Sequence, residues 1–310
     1  MKPTVTFLSL VFLSIPVLTA VSKNGDSPLL KGDYLGQEPP GTSPKLFAPG
    51  VISTDAPEGC LSFSHDGDYA VFRRHWREDT KVFILERKNG EWTRPEIAPF
   101  FREGFGFGDF TFAPNEAKLY FTSNRPLDGG DEENESSDLW MVENVDNSWL
   151  APVHLGTSVN SALHDSYPSV ANDKTIYFFR RFEGDEGLSE ILYAPFRDGD
   201  YSEPMRLEGD INTQWDEWDP AISPDGRILV FCSKRPSGLG KDDLYVSFKD
   251  RNGRWSNSTN LGDRVNSPNS ENRPFITSDG RYLFFNSDSG GSRDIYWIDM
   301  EVVRRLDPLE

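Results

Sequence analysis

The chain has 310 residues, 36% hydrophobic and 13% aromatic, with 26 Gly and 22 Pro. Breakers at that density interrupt helices, whereas stiff aromatic side chains suit pleated sheets, so a mainly helical fold is excluded. With 50 acidic against 32 basic side chains the net charge is −18, which repels phosphate backbones and argues against nucleic acid as a partner.

Residues 1–20 read as a signal peptide. Lys2 is followed by an apolar run from Val5 to Leu18 and by Ala20, a small residue suited to cleavage. The run is too short to span a bilayer and no later stretch is apolar enough, so no membrane span is expected. The mature protein is expected in the periplasm or the secreted fraction, as a monomer. Its plan is an N-terminal extension (21–43), a repeat domain (44–300) and a C-terminal tail (301–310). Two cysteines, Cys60 and Cys232, make no disulfide framework and fall at different positions of non-adjacent repeats. They are expected as buried thiols.

From Leu61 onward five segments share the pattern strand, tight turn, strand: LSFSHDGDYAVF at Leu61, FTFAPNEAKLYF at Phe110, PSVANDKTIYFF at Pro168, PAISPDGRILVF at Pro220 and PFITSDGRYLFF at Pro274. Apolar residues alternate on both sides of each turn, as a half-buried hairpin requires. Asp66-Gly67, Asp225-Gly226 and Asp279-Gly280 supply the left-handed backbone of a tight turn, and Asn115-Glu116 and Asp173-Lys174 are weaker versions. A third strand follows in each unit (KVFIL, DLWMV, EILYA, DLYVS, DIYWI). A fourth opens on an aromatic, usually with a proline: Trp92 with Pro95, Trp149 with Pro152, Tyr201 with Pro204, and Trp255. Leu155, Leu207 and Leu261 come six residues later, then Val159-Asn160, Ile211-Asn212 and Val265-Asn266.

Four strands in a unit of about 50 residues is the signature of propeller blades. The last unit stops after three strands. Pro44, Phe47 and Val51 repeat the spacing of Pro152, Leu155 and Val159, so residues 44–52 are expected to complete the final blade and close the ring. The fold class is therefore all-β, a propeller of five blades with four antiparallel strands each; six blades is the alternative.

The phrases PAISPDGRILVFCSKRP, DDLYV and NRPFITSDGRYLFFNSDSGGSRDIYW resemble the TolB-like, WD40-like propeller repeat of exported bacterial proteins. The resemblance covers roughly residues 44–300 and implies the fold and an exported location. TolB itself has six blades and a separate N-terminal domain for which this chain has no room, so the resemblance does not imply the Tol system.

Loops entering the first strands lie on one rim, where propellers bind ligands. Glu58, Asp165, Glu217 and Glu271 share one register there, and Asp109 stands close to it behind a Gly-rich approach. Together they predict an acidic mouth for a cation or a cationic ligand, unless each carboxylate only accepts bonds from its own loop. Trp218, Trp215 and His164 share the rim and could face a sugar, and a pair of the acids could serve a glycoside hydrolase. No glycosidase signature accompanies them. The expected function is thus a non-catalytic module that binds or scaffolds a protein, peptide or glycan, with a carbohydrate-active enzyme as the alternative. The insertion DGGDEENESSD places Asp128, Asp131, Glu133 and Asp138 as candidate ligands for Ca²⁺; no other cofactor is expected. Arg125, Arg235 and Arg293 are expected to clamp Asp138, Asp243 and Asp294 within their blades.

Overall fold

The computed structural model describes residues 30–76, 79–182 and 188–308. The expected signal peptide and the start of the extension lie outside the described residues. The described segments form a ring of five antiparallel blades.

Blade 1 holds Glu58–Phe63, Tyr69–Trp76 and Asp79–Lys88, with Glu96–Ile97 on its outer edge. Blade 2 holds Phe107–Phe112, Lys118–Ser123 and Asp138–Val145, with Val153–His154 outside. Blade 3 is His164–Val170, Ile176–Arg181, Ser189–Ala194 and Met205–Arg206. Blade 4 is Glu217–Ile222, Ile228–Ser233, Asp243–Phe248 and Thr259–Asn260. Blade 5 is Glu271–Ile276, Tyr282–Ser287 and Asp294–Asp299. Its fourth strand is Lys45–Leu46, paired with Trp297 and Tyr296, and the Phe47 amide continues the ladder to the Ile295 carbonyl. Each first strand packs against the first strands of both neighbours, which closes the ring. Five blades, and closure by the N-terminal strand, are as the repeat predicts.

Both faces of each blade are covered, so the inner strands are buried at nearly every position, polar ones included, rather than at alternate positions. One apolar cluster fills each of the five seams, for example Leu207, Ile211, Ile222 and Phe231 between blades 3 and 4. Gly67, Gly226 and Gly280 have φ between 66 and 71°, the left-handed backbone their hairpins require. The aromatics behave differently from expectation. Trp92, Trp149, Tyr201 and Trp255 do not open the fourth strand but cap a short hairpin that prolongs the third, pairing with Arg87, Asn144, Phe196 and Lys249. In blades 1, 2 and 3 the fourth strand forms directly after the next proline (Pro95, Pro152, Pro204), where a residue without an N–H sits at a free edge at no cost; in blade 4 it forms at Thr259–Asn260 without one.

The Val-Asn and Ile-Asn pairs also have a physical role. Asn160 accepts from the Leu139 amide at 2.7 Å and donates to its carbonyl at 3.1 Å. Asn212 brackets Ile191, and Asn266 brackets Leu244, in the same way. In blades 2, 3 and 4 a side-chain amide thus satisfies the backbone where the third strand passes the end of its short outer partner.

Of the extension, residues 30–43 fold over blades 5 and 1. Tyr34 meets Phe63 and Tyr282 edge-on, and Leu35 is fully buried. The tail turns once as Glu301–Arg304 and buries Val302 and Val303.

Candidate functional site at the channel mouth

The four repeated rim carboxylates are all fully buried. Each turns into its own loop. Glu58 accepts from the Thr54 amide and hydroxyl, Asp165 from those of Ser161, Glu217 from those of Thr213 and Glu271 from those of Ser267, at 2.6–3.1 Å. A neighbour on or just past the adjacent strand donates as well: Arg74 to Glu58 (2.8 Å), Arg180 to Asp165 (2.6 Å), Arg235 to Glu217 (3.3 Å) and Ser287 to Glu271 (2.6 Å). Burial raises the carboxyl pKa of Glu58, Asp165 and Glu217, and these hydroxyl, amide and guanidinium bonds oppose it. These acids form a staple repeated by blade, and the structure does not bring them together.

Blade 2 lacks the acid and has Phe107 in its place. Arg125 accordingly lies over Phe107, Phe121 and Trp140 at 5.0–5.7 Å, and burial, then Arg102, lowers its pKa to about 10. The expected clamps do not form. Arg235 pairs with Glu217, Asp138 meets His154 at 3.2 Å, and Asp243 accepts from Asn260 at 2.7 Å. A guanidinium on a long stem reaches past the strand junction to the buried carboxylate, where charge needs it more.

One register further in, every first strand carries a bulge, and in every blade the bulged residue has a positive φ: Cys60, Asp109, Tyr167, Asp219 and Arg273, at 44–56°. None is glycine, so each left-handed backbone is held against a steric penalty of about 1–2 kcal/mol. The bulges turn these five side chains to the axis. The Cys60 thiol donates to Asp109 at 3.2 Å. The Arg273 side chain donates to Asp109 at 3.4 Å, and its backbone amide to Asp219 at 3.2 Å. The Tyr167 hydroxyl crosses to the Pro274 carbonyl at 3.0 Å.

The electrostatics of this ring are divided. Burial pushes the Cys60 thiol up to about 12, so it stays a thiol. Asp109 is held below the usual carboxylate range because Arg73 and Arg273 outweigh its burial. Asp219, with burial dominant, rises to about 7. His75 falls to about 4 through burial and the nearby Arg73, Arg273 and Arg293. At the opposite end Phe63, Phe112, Val170, Ile222 and Phe275, with the hydroxyl residues Thr111, Ser169 and Ser278, line a cavity of about 10 Å³, room for no more than one water.

Trp218, beside Asp219, is half-buried with the Lys234 ammonium 4.9 Å from its ring centre. His164 is exposed and accepts from the Ser137 amide. The candidate calcium ligands are dispersed. Asp128 caps the Gly130 amide, Asp131 pairs with Arg102, Glu133 accepts from Asn124, and Asp138 is a strand residue bonded to His154. Among the described residues no group of three or more His, Cys, Asp or Glu could hold a metal ion. Cys60 and Cys232 are buried free thiols.

No protein-family profile matches the chain, and no curated protein does. Among solved structures, TolB from Acinetobacter baumannii superposes with a TM-score of 0.51 at 14% identity, over 81% of this chain and 54% of that one. The fold is a TolB-like β-propeller. The chain spans about half the length of that TolB structure. A thermostable family-43 glycoside hydrolase matches at TM-score 0.53 and 11% identity, over 79% of this chain and 90% of that one. A further glycoside hydrolase matches at 0.51 and 13%, over 85% and 92%. At such identities the likeness carries the fold alone.

On this TolB-like scaffold the sequence located Asp109 but not Cys60, Arg73, Tyr167, Asp219 or Arg273. The signal was present. The ring residues each stand one position before Leu61, Phe110, Pro168, Pro220 and Pro274, so one register of an otherwise apolar repeat reads Cys, Asp, Tyr, Asp, Arg.

Proposed function

We propose that the protein is an exported, non-catalytic propeller that binds a protein, peptide or glycan at its channel mouth. One observation carries this reading: the rim acids that would serve a hydrolase are consumed by their own loops, while polar groups converge on strained bulges at the axis. Export rests on the apolar run of residues 1–20, and among the described residues no helix is long and apolar enough to cross a membrane.

The test is capture from an exported fraction on immobilised wild type, on Lys234→Glu at the mouth and on Lys45→Glu at the outer edge. Binding lost only with Lys234→Glu supports the reading, and capture indifferent to the mouth substitution refutes it. A second reading, a carbohydrate-active enzyme, is favoured by Asp109 and Asp219, two carboxyls whose surroundings push their pKa values apart as in acid–base pairs. Turnover of an aryl-glycoside panel, abolished by Asp219→Asn, would establish it; an inactive wild type would remove it.

A further inference from the structure

In four blades out of five the second strand offers a small, neutral or apolar residue at the level of the bulges. Thr122 accepts from the Tyr167 amide, Asn286 from the Cys60 amide, and the Cys232 thiol approaches the Glu271 carbonyl at 3.4 Å; Phe179 stands there in blade 3. Blade 1 has Arg73 instead. Its guanidinium lies across Gly59 and Gly108, where a Cβ would stand 3.3 and 2.7 Å from its terminal nitrogens. The same register carries Ser166, Trp218 and Asn272 in the other blades, so the two glycines make room for Arg73.

Arg73 is nevertheless underused. Its side chain is only 10% accessible, its Nε is buried without a hydrogen-bond partner, and its nearest charge is Asp109 at 3.7 Å. That carboxylate is shared with Arg273 at 3.4 Å and with the Cys60 thiol. Two guanidiniums thus divide one carboxylate, although each can hold a carboxylate in bidentate fashion. A buried donor left unbonded costs about 1–3 kcal/mol, so Arg73 is kept at the mouth at a cost to folding.

We propose that Arg73 and Arg273 form a carboxylate-binding site at the channel mouth, whose ligand is the carboxylate of a peptide chain. The inference rests on the binding reading above and names the ligand class of the same site. Access favours a slender ligand. Arg73, Asp109 and Arg273 keep only 10, 18 and 20% of their side-chain surface, which a planar carboxylate on a thin stem can reach more readily than a bulky group. Charge favours it too. The molecule as a whole is strongly anionic, while Arg293 adds a third guanidinium to Arg73 and Arg273 near His75, whose pKa burial and then these charges lower.

The experiment titrates the full chain calorimetrically with N-acetylated pentaglycine as the free acid and as the C-terminal amide, and with glucuronate. The free acid should bind at least tenfold more tightly than the amide and than glucuronate, and Arg73→Met should lose that preference. Arg73→Lys, which keeps the charge without the fork, should lose it as well, so a folding defect of one variant does not decide the matter. Equal binding of acid and amide, retention of the preference by both variants, or tighter binding of glucuronate would overturn the site. Mouth-dependent capture with no acid preference defeats this site and leaves the binding reading standing. Acid preference with capture indifferent to the mouth does the reverse.

Discussion

Glu217→Ala should be among the most damaging single substitutions in the molecule. Glu217 is fully buried and accepts from the Thr213 amide (2.9 Å), the Thr213 hydroxyl (2.6 Å), the Ser233 hydroxyl (3.1 Å) and Arg235 Nε (3.3 Å). Truncation strands three donors and a half-buried guanidinium that keeps only Ser258, Asp210 and Ile211 as acceptors. Removing one partner of a buried ion pair costs about 3–5 kcal/mol, and water admitted to the cavity recovers part of the remainder. Glu217→Gln keeps the shape but turns an NH₂ towards groups that are themselves donors, for about 1–3 kcal/mol. Urea unfolding followed by tryptophan fluorescence measures both, with exposed Glu132→Gln as a control that should stay within about 0.5 kcal/mol. If Glu217→Ala costs less than about 1 kcal/mol, the buried carboxylates are not staples and the account of the rim is wrong.

Further outcomes follow from the same geometry. Asn212→Ala should cost about 1–3 kcal/mol, because the Ile191 amide loses its partner and the Ile191 carbonyl keeps only the Leu207 amide at 3.4 Å, and amide exchange at Ile191 should rise with it. Asp219→Asn should gain on the wild type as pH rises. Its folded pKa of about 7 lies above the unfolded value near 3.9, so its contribution to stability is full below about pH 4 and is lost as pH rises through 7. Between pH 5 and 8 the variant should gain on the order of 1–3 kcal/mol in urea unfolding, and parallel curves would refute the assignment. Deleting residues 30–47 exposes the edge of Asp294–Asp299 and removes Phe47 from the seam of blades 5 and 1; the product should aggregate or melt well below the full chain. Millimolar Ca²⁺ should leave the melting temperature unchanged, since Asp128, Asp131, Glu133 and Asp138 each serve a different partner.

The fold was legible because propeller blades repeat their turn chemistry. Asp-Gly pairs, alternating runs and the spacing of Pro44, Phe47 and Val51 were enough to count blades and to join residues 44–52 to the last one. The site was legible only in part, for two reasons. A carboxylate repeated at one register signals a shared surface and a shared turn equally well, and only side-chain direction separates them; at Glu58, Asp165, Glu217 and Glu271 it points into the loop. Bulges are the second reason. An extra residue reverses which side chain faces the axis, so strict alternation counted from Leu61 or Pro220 hides Cys60 and Asp219. The arginines escaped for a similar cause, since Arg73 and Arg74 are indistinguishable as a dipeptide and face opposite sides of the strand.

That pair provides the sharpest measurement. Arg74 donates to Glu58 at 2.8 Å and to the Val51 and Ile52 carbonyls at 2.9 Å, as a fully used clamp. Arg73, its neighbour, has a buried unbonded Nε and a distant share of Asp109. Unfolding free energies of Arg74→Met and Arg73→Met, determined side by side, therefore test whether the rim is built for stability and the mouth kept open for a ligand. The expected result is a loss of about 3–5 kcal/mol for Arg74→Met and a change within about 1 kcal/mol, or a gain, for Arg73→Met. Equal, large losses at both positions would make Arg73 one more clamp and would contradict the account.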